Sequence, residues 1–125
     1  MLTVTTCLWD ANQHSRHFSR VYDESWAEKL YRSFAKNLTR PFRFVCFTDK
    51  QRTFAEPIEQ ERLIMQNPHY GACMEPFTLD CPQIFVGLDT IVVGNIDHLA
   101  DYAMTASKPA IPRDPFAGVG PWERT

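Results

Sequence analysis

This chain has no apolar run near the roughly 20 residues that cross a bilayer, and it has no internal repeat or low-complexity stretch. Nor is one sign of charge in excess. The 13 Lys and Arg residues are set against 15 Asp and Glu residues for a net charge of -2, which leaves no basic footprint for nucleic acid. Cysteine is sparse: Cys7, Cys46, Cys73 and Cys81 include no C-x-x-C pair, and Cys7 and Cys46 sit inside apolar runs. Reduced, buried thiols are therefore expected rather than a disulfide or zinc framework. A nucleophile elbow, a P-loop and a glycine-rich dinucleotide fingerprint are all missing, which removes the enzyme classes that depend on them. The N-terminus runs Met1, Leu2, Thr3, Val4 into strand-like sequence without a basic region or a small-residue cleavage site. That pattern predicts no signal peptide and a cytoplasmic location.

What is present reads as one α/β domain, the number that 125 residues suggest. Residues 2–9 form a first strand rich in Thr, Val and Leu, with a polar exit beginning at Asp10. Over residues 25–38 the apolar side chains Trp26, Ala27, Leu30, Tyr31, Phe34, Ala35 and Leu38 recur on one helical face. Ser25 and Glu28 have capping-box spacing, Lys36 complements the helix dipole, and Arg40-Pro41 ends the helix. Residues 42–48 are almost wholly apolar or aromatic, as in a strand covered on both faces. Residues 51–57 read as a loop, and 58–65 as an edge strand carrying Glu59, Glu61 and Arg62. Residues 72–79 read as a short helix limited by Pro76, 84–93 as a second core strand, and 95–102 as a turn and one or two helical turns. Ala110, Ile111 and Pro112 are a last strand candidate, followed by a Pro- and Gly-rich tail. Alternation of this kind predicts a mostly parallel sheet flanked by helices, with the polar exits after Trp9, Thr48 and Asp89 on one ligand-binding edge.

The stretch that carries chemistry is Phe85-Val86-Gly87-Leu88-Asp89-Thr90-Ile91-Val92-Val93-Gly94-Asn95. An aspartate inside an apolar run costs several kcal/mol to bury unless it is paired or bound to a cation. Asp89 therefore either caps a turn between two short strands or faces a cation.

This segment resembles the hallmark of glycosyltransferases with the A-type fold, in particular the glycogenin-like family 8 enzymes, where an apolar strand ends in Asp-x-Asp and a β-branched run follows. The first strand, the Tyr31-Arg32-Ser33-Phe34 helix leading to Thr39-Arg40-Pro41-Phe42, the Phe47-Thr48-Asp49 exit and Gly94-Asn95-Ile96-Asp97 sit in the same order and spacing. The resemblance implies a Rossmann-like nucleotide-diphospho-sugar transferase fold, truncated at its C-terminus. Residues 1–114 would bind the nucleotide-sugar and 115–125 would be loop or tail. It also implies a bound Mn²⁺ or Mg²⁺ that neutralises the leaving diphosphate, with Asp89 as metal ligand. Thr6, Cys7, Trp9 and Leu88 would be nucleotide contacts, and Asp114 the acidic contact to sugar or acceptor. The acceptor is unspecified.

Several positions depart from the family pattern. Gly87 stands where the family has its leading Asp, and the segment before the motif, residues 72–77, has no Lys or Arg, which leaves Arg16 or Arg113 as candidate phosphate contacts. The acceptor-binding half is missing, a deficit that predicts exposed apolar surface and self-association. Trp9 is open to two readings, stacking on a base or simple packing. His14 and His17, three apart, read as solvated loop residues, and His98 beside Asp97 as a pair whose side chains point apart.

Overall fold

The computed structural model describes residues 1–15 and 21–111. These residues form a four-stranded sheet in the order β3-β2-β1-β4, with every neighbouring pair parallel. Strand β1 (Leu2–Leu8) lies inside the sheet and is buried along its whole length. Its side chains alternate between two faces, as a period of two demands. Leu2 and Val4 pack with Leu30 and Phe34 of helix α1 (Glu24–Asn37) and with Phe44 of β2 (Phe42–Thr48). On the opposite face, Cys7 and Trp9 pack with Val45, Phe47 and Leu63, and with Ala72 of a 3₁₀ segment (Tyr70–Thr78). Full burial of side chains such as Phe34 and Leu30 stabilises by about 2–3 kcal/mol each.

Helix α1 matches the predicted span to within a residue at each end, but its cap differs. Asp23 is the N-cap: its Oδ1 accepts from the Ser25 backbone N–H at 3.0 Å. The predicted box of Ser25 and Glu28 does not form, because Glu28 Oε2 accepts from the Ala55 N–H at 2.6 Å and so holds the 51–57 loop instead. Tyr31 and Phe34 meet Phe42 and Phe44, with Tyr31 edge-on to Phe44 at 5.6 Å.

Strand β3 (Glu59–Arg62) is the expected edge strand, shorter than residues 58–65. Arg43 donates to both carboxylate oxygens of Glu59, at 3.0 and 2.8 Å, placing a charged pair beside the open edge. The 3₁₀ segment replaces the expected short helix. Pro76 has no N–H to donate, and the Glu75 carboxylate accepts from the backbone of Ile64 and Met65, tying the segment to the exit of β3.

The largest departure concerns residues 84–93. Only Gln83–Phe85 forms strand β4, extended by a hydrogen bond from Val86 N–H to Thr5 C=O at 3.0 Å. The chain then turns at Gly87, whose C=O accepts from Thr90 N–H at 3.1 Å. Beyond the turn, Val92 finds its backbone partners on α1. Its N–H donates to Ser33 Oγ at 3.1 Å and its C=O accepts from Asn37 Nδ2 at 2.9 Å. A β-branched run thus lies along a helix rather than in the sheet. Helix α2 (Asp97–Thr105) follows, with Asp97 accepting from Thr39 and Arg40 bridging to Asp101 at 2.9 Å. Ala100 is buried in the α1-side core, so both helices cover one face and the 3₁₀ segment the other. The expected 115–125 tail and Pro112 lie outside the described residues. Among those described, no helix is long and apolar enough to cross a membrane.

Candidate functional site

Strand β2 lies on one side of β1 and β4 on the other, so chain order reverses between β1 and β4. In open parallel α/β sheets this is where a crevice opens beyond the strand C-termini. A cleft of about 270 Å³ occupies that position, lined by the ends of β1 and β4, the Gly87 turn, Tyr22, and the 3₁₀ residues Tyr70 and Cys73. The fold thereby brings together five of the residues singled out in the sequence, Thr6, Cys7, Trp9, Leu88 and Asp89. Asp114 lies outside the described residues, as do Arg16, His17 and Arg113.

Each of the five has a distinct environment. Thr6 is completely buried on β1, and its Oγ1 has no hydrogen-bond partner among the described residues. The other buried threonines of β1 differ: Thr5 Oγ1 donates to Gln83 Oε1 at 3.0 Å, and Thr3 Oγ1 accepts from the Cys81 thiol at 3.6 Å. Trp9 is 7% exposed, and its indole N–H donates to Ser15 Oγ at 3.0 Å, fixing the loop that leaves β1. Leu88 packs with Leu8, Ala27 and Cys46 and anchors the turn that carries Asp89. Cys7 is buried among Trp9, Val45 and Phe47.

Asp89 itself is exposed on the turn. This corrects the premise that a carboxylate is buried in an apolar strand: the run breaks at Gly87, and water reaches the side chain. No hydrogen bond or salt bridge among the described residues engages its carboxylate, so it is not a structural cap. It is the sole formal charge on the described lining, which holds no Lys or Arg. Burial raises the Tyr22 hydroxyl above its ordinary pKa, and the neighbouring Asp89 and Tyr70 add to the effect. Tyr22 also meets Trp26 edge-on at 5.0 Å.

No cluster of three or more His, Cys, Asp or Glu side chains among the described residues could hold a metal by itself. Asp89 alone would offer a cation one carboxylate, so the rest of its shell would have to come from water or a ligand. His14 is exposed beside Gln13. Asp97, next to His98, is engaged by Thr39, Asn95 and Arg40 instead.

Sequence reasoning missed Tyr22, which precedes α1, and Tyr70 and Cys73 of the 3₁₀ segment, none of which carries a motif. It also read Arg52 as an ordinary loop residue. Arg52 is buried beneath the rim, donating to Asp10 at 3.0 Å, Asp49 at 2.8 Å and Glu24 at 3.1 Å, and to Thr48 Oγ1 at 2.6 Å. A second, polar cleft of about 330 Å³ lies beyond β1, β2 and β3, with Asp10, Asp49 and Arg62 on its wall. Lys50 and Arg52 neutralise its two aspartates, so it offers no free carboxylate for a cation.

The fold and the cleft define an all-parallel α/β protein of Rossmann-like type, with a candidate ligand site at its topological switch point. No family model, curated protein or solved structure matches the chain.

Proposed function

We propose that the β1–β4 cleft binds a nucleotide-diphosphate sugar, with Mn²⁺ or Mg²⁺ shared between Asp89 and the diphosphate, and that the protein transfers the sugar to an acceptor. One observation carries this reading. The single charged group of the described lining is a carboxylate on the rim of the switch point, uncommitted to any hydrogen bond or ion pair among the described residues. A cation there would attract a diphosphate to a wall that otherwise offers it no positive side chain. Thr6, Cys7, Trp9 and Leu88 would seat the nucleoside, and the unpaired Thr6 Oγ1 offers it a polar contact. Asp114 would be the acidic contact to sugar or acceptor, a role resting on the sequence resemblance alone.

Titration calorimetry of UDP-sugars with and without Mn²⁺ tests the reading. Heat is expected only when metal and nucleotide are both present, since one carboxylate holds the free ion weakly. Asp89→Asn should weaken metal-supported binding by about tenfold or more, ~1.4 kcal/mol. Metal-independent binding, or none at all, would sink the proposal. A second reading, a non-catalytic interaction module, is favoured by a different observation: Ile91, Val93, Leu99, Tyr102, Met104 and Ile111 are all exposed along residues 91–111.

A further inference from the structure

Two thiols meet at the cleft wall. Cys7 comes from the C-terminal end of β1 and Cys73 from the 3₁₀ segment, and both line the cleft and pack against the Trp9, Val45 and Phe47 cluster. Both are free thiols. Their surroundings are unequal. Cys73 is half-buried, while Cys7 is buried. Interaction with Cys7 holds the Cys73 thiol below its ordinary pKa, whereas interaction with Cys73 and burial push Cys7 well above. Neither remaining cysteine lines the cleft. Cys46 is buried and raised to about 12 by desolvation, and Cys81 bonds to Thr3.

We propose that Cys73 and Cys7 are a peroxide-sensitive modification site, with Cys73 the attacking thiol and Cys7 the resolving one. Cys73 as thiolate attacks one peroxide oxygen, the O–O bond breaks, and hydroxide leaves, giving a sulfenic acid on Cys73. Cys7 then attacks that sulfur, its proton combines with the departing hydroxyl, and water leaves as the S–S bond forms. In sum, two thiols are oxidised to one disulfide and one hydroperoxide is reduced to two waters when the peroxide is hydrogen peroxide. Bond formation draws the two sulfurs to about 2 Å. The 3₁₀ segment, with its poorer hydrogen-bond geometry and Pro76, yields more readily than the central strand. The movement pulls the wall bearing Tyr70 and Cys73 toward β1 and narrows the cleft. That last consequence for nucleotide binding rests on the function proposed above.

The test treats the reduced, full chain with hydrogen peroxide and reads it by intact mass and peptide mapping. Loss of two hydrogens is expected, with one cross-linked pair joining the Cys7 and Cys73 peptides. Cys73→Ser should form no cross-link. Cys7→Ala should stop at a Cys73 sulfenic acid that a cyclic 1,3-dione traps before any other thiol reacts. Four thiols still open to alkylation, or a cross-link through Cys46 or Cys81, would overturn the site. An oxidised protein that binds UDP as tightly as the reduced one overturns the narrowing, where a loss of about tenfold is expected. Because the cross-link is read by mass, its outcome stands apart from whether the reduced protein binds nucleotide, which tests the earlier reading.

Discussion

Arg52 carries its charge with a side chain only 1% exposed, and its three carboxylate partners come from the exit of β1, the exit of β2 and the first turn of α1. It ties the exits of β1 and β2 to the start of α1. Removing one partner of a buried ion pair costs about 3–5 kcal/mol when the other charge is stranded. Here the carboxylates reach water, so Arg52→Ala should cost less, about 2–3 kcal/mol by urea unfolding. The network also sets an acid limit. Lys50, and then Arg52, hold Asp10 below its usual value of 3.8, with burial opposing them. A carboxylate depressed in the folded state contributes stability that is complete above 3.8 and is lost as pH falls through the folded value. Urea midpoints should therefore fall as pH drops below about 4, and less steeply in the Arg52→Met variant. At the proposed metal site, Gly87 does not occupy the left-handed region, and a Cβ there would lie 3.3 Å from Asp89 Oδ1. Asp89 is exposed and can give way by that small amount. Gly87→Asp should therefore place a second carboxylate beside the first and raise Mn²⁺ affinity about tenfold in the presence of UDP. Calorimetry of the variant checks this; an unchanged affinity would separate the turn from any metal role.

Among the elements, α1 and the 86–96 segment depend on one another. Ser33 and Asn37 of α1 hold the backbone of Val92, and Asn37 C=O accepts from Ile96 N–H. The helix start is equally specific. Asp23 bears the cap, so Asp23→Ala should cost about 1 kcal/mol by chemical denaturation, whereas Glu28→Ala should leave the cap intact and loosen the loop at Ala55. Hydrogen exchange at Ala55 distinguishes the two, rising in Glu28→Ala alone. These alternatives were not separable by spacing. Asp23 and Ser25 are both good N-cap types; Asp23 takes the cap and accepts from the Ser25 N–H, while Glu28 holds the 51–57 loop.

For the molecule as a whole, the exposed apolar side chains of residues 91–111 are the main liability. Val93 is 93% exposed and Ile111 89%, with Leu99 and Tyr102 about half exposed on α2. Apolar surface left in water drives association, so light scattering should show concentration-dependent mass, reduced by Val93→Asp combined with Leu99→Lys. A monomer at all concentrations would count against the interaction-module reading. Much of the architecture was legible along the chain. The continuous apolar runs of β1 and β2 and the 3.6-residue apolar period of α1 were readable because run and period are local properties of the sequence. The edge character of β3 was likewise written in Glu59, Glu61 and Arg62. Local pattern failed where partners are distant. Residues 86–93 have strand-like composition, yet beyond the Gly87 turn the backbone of Val92 bonds to Ser33 and Asn37 on a helix far away in sequence. The exposure of Asp89, the burial of Arg52 and the meeting of Cys7 with Cys73 follow from strand order and from where loops land. Those are outcomes of packing the whole chain at once, and no short stretch of residues contains them.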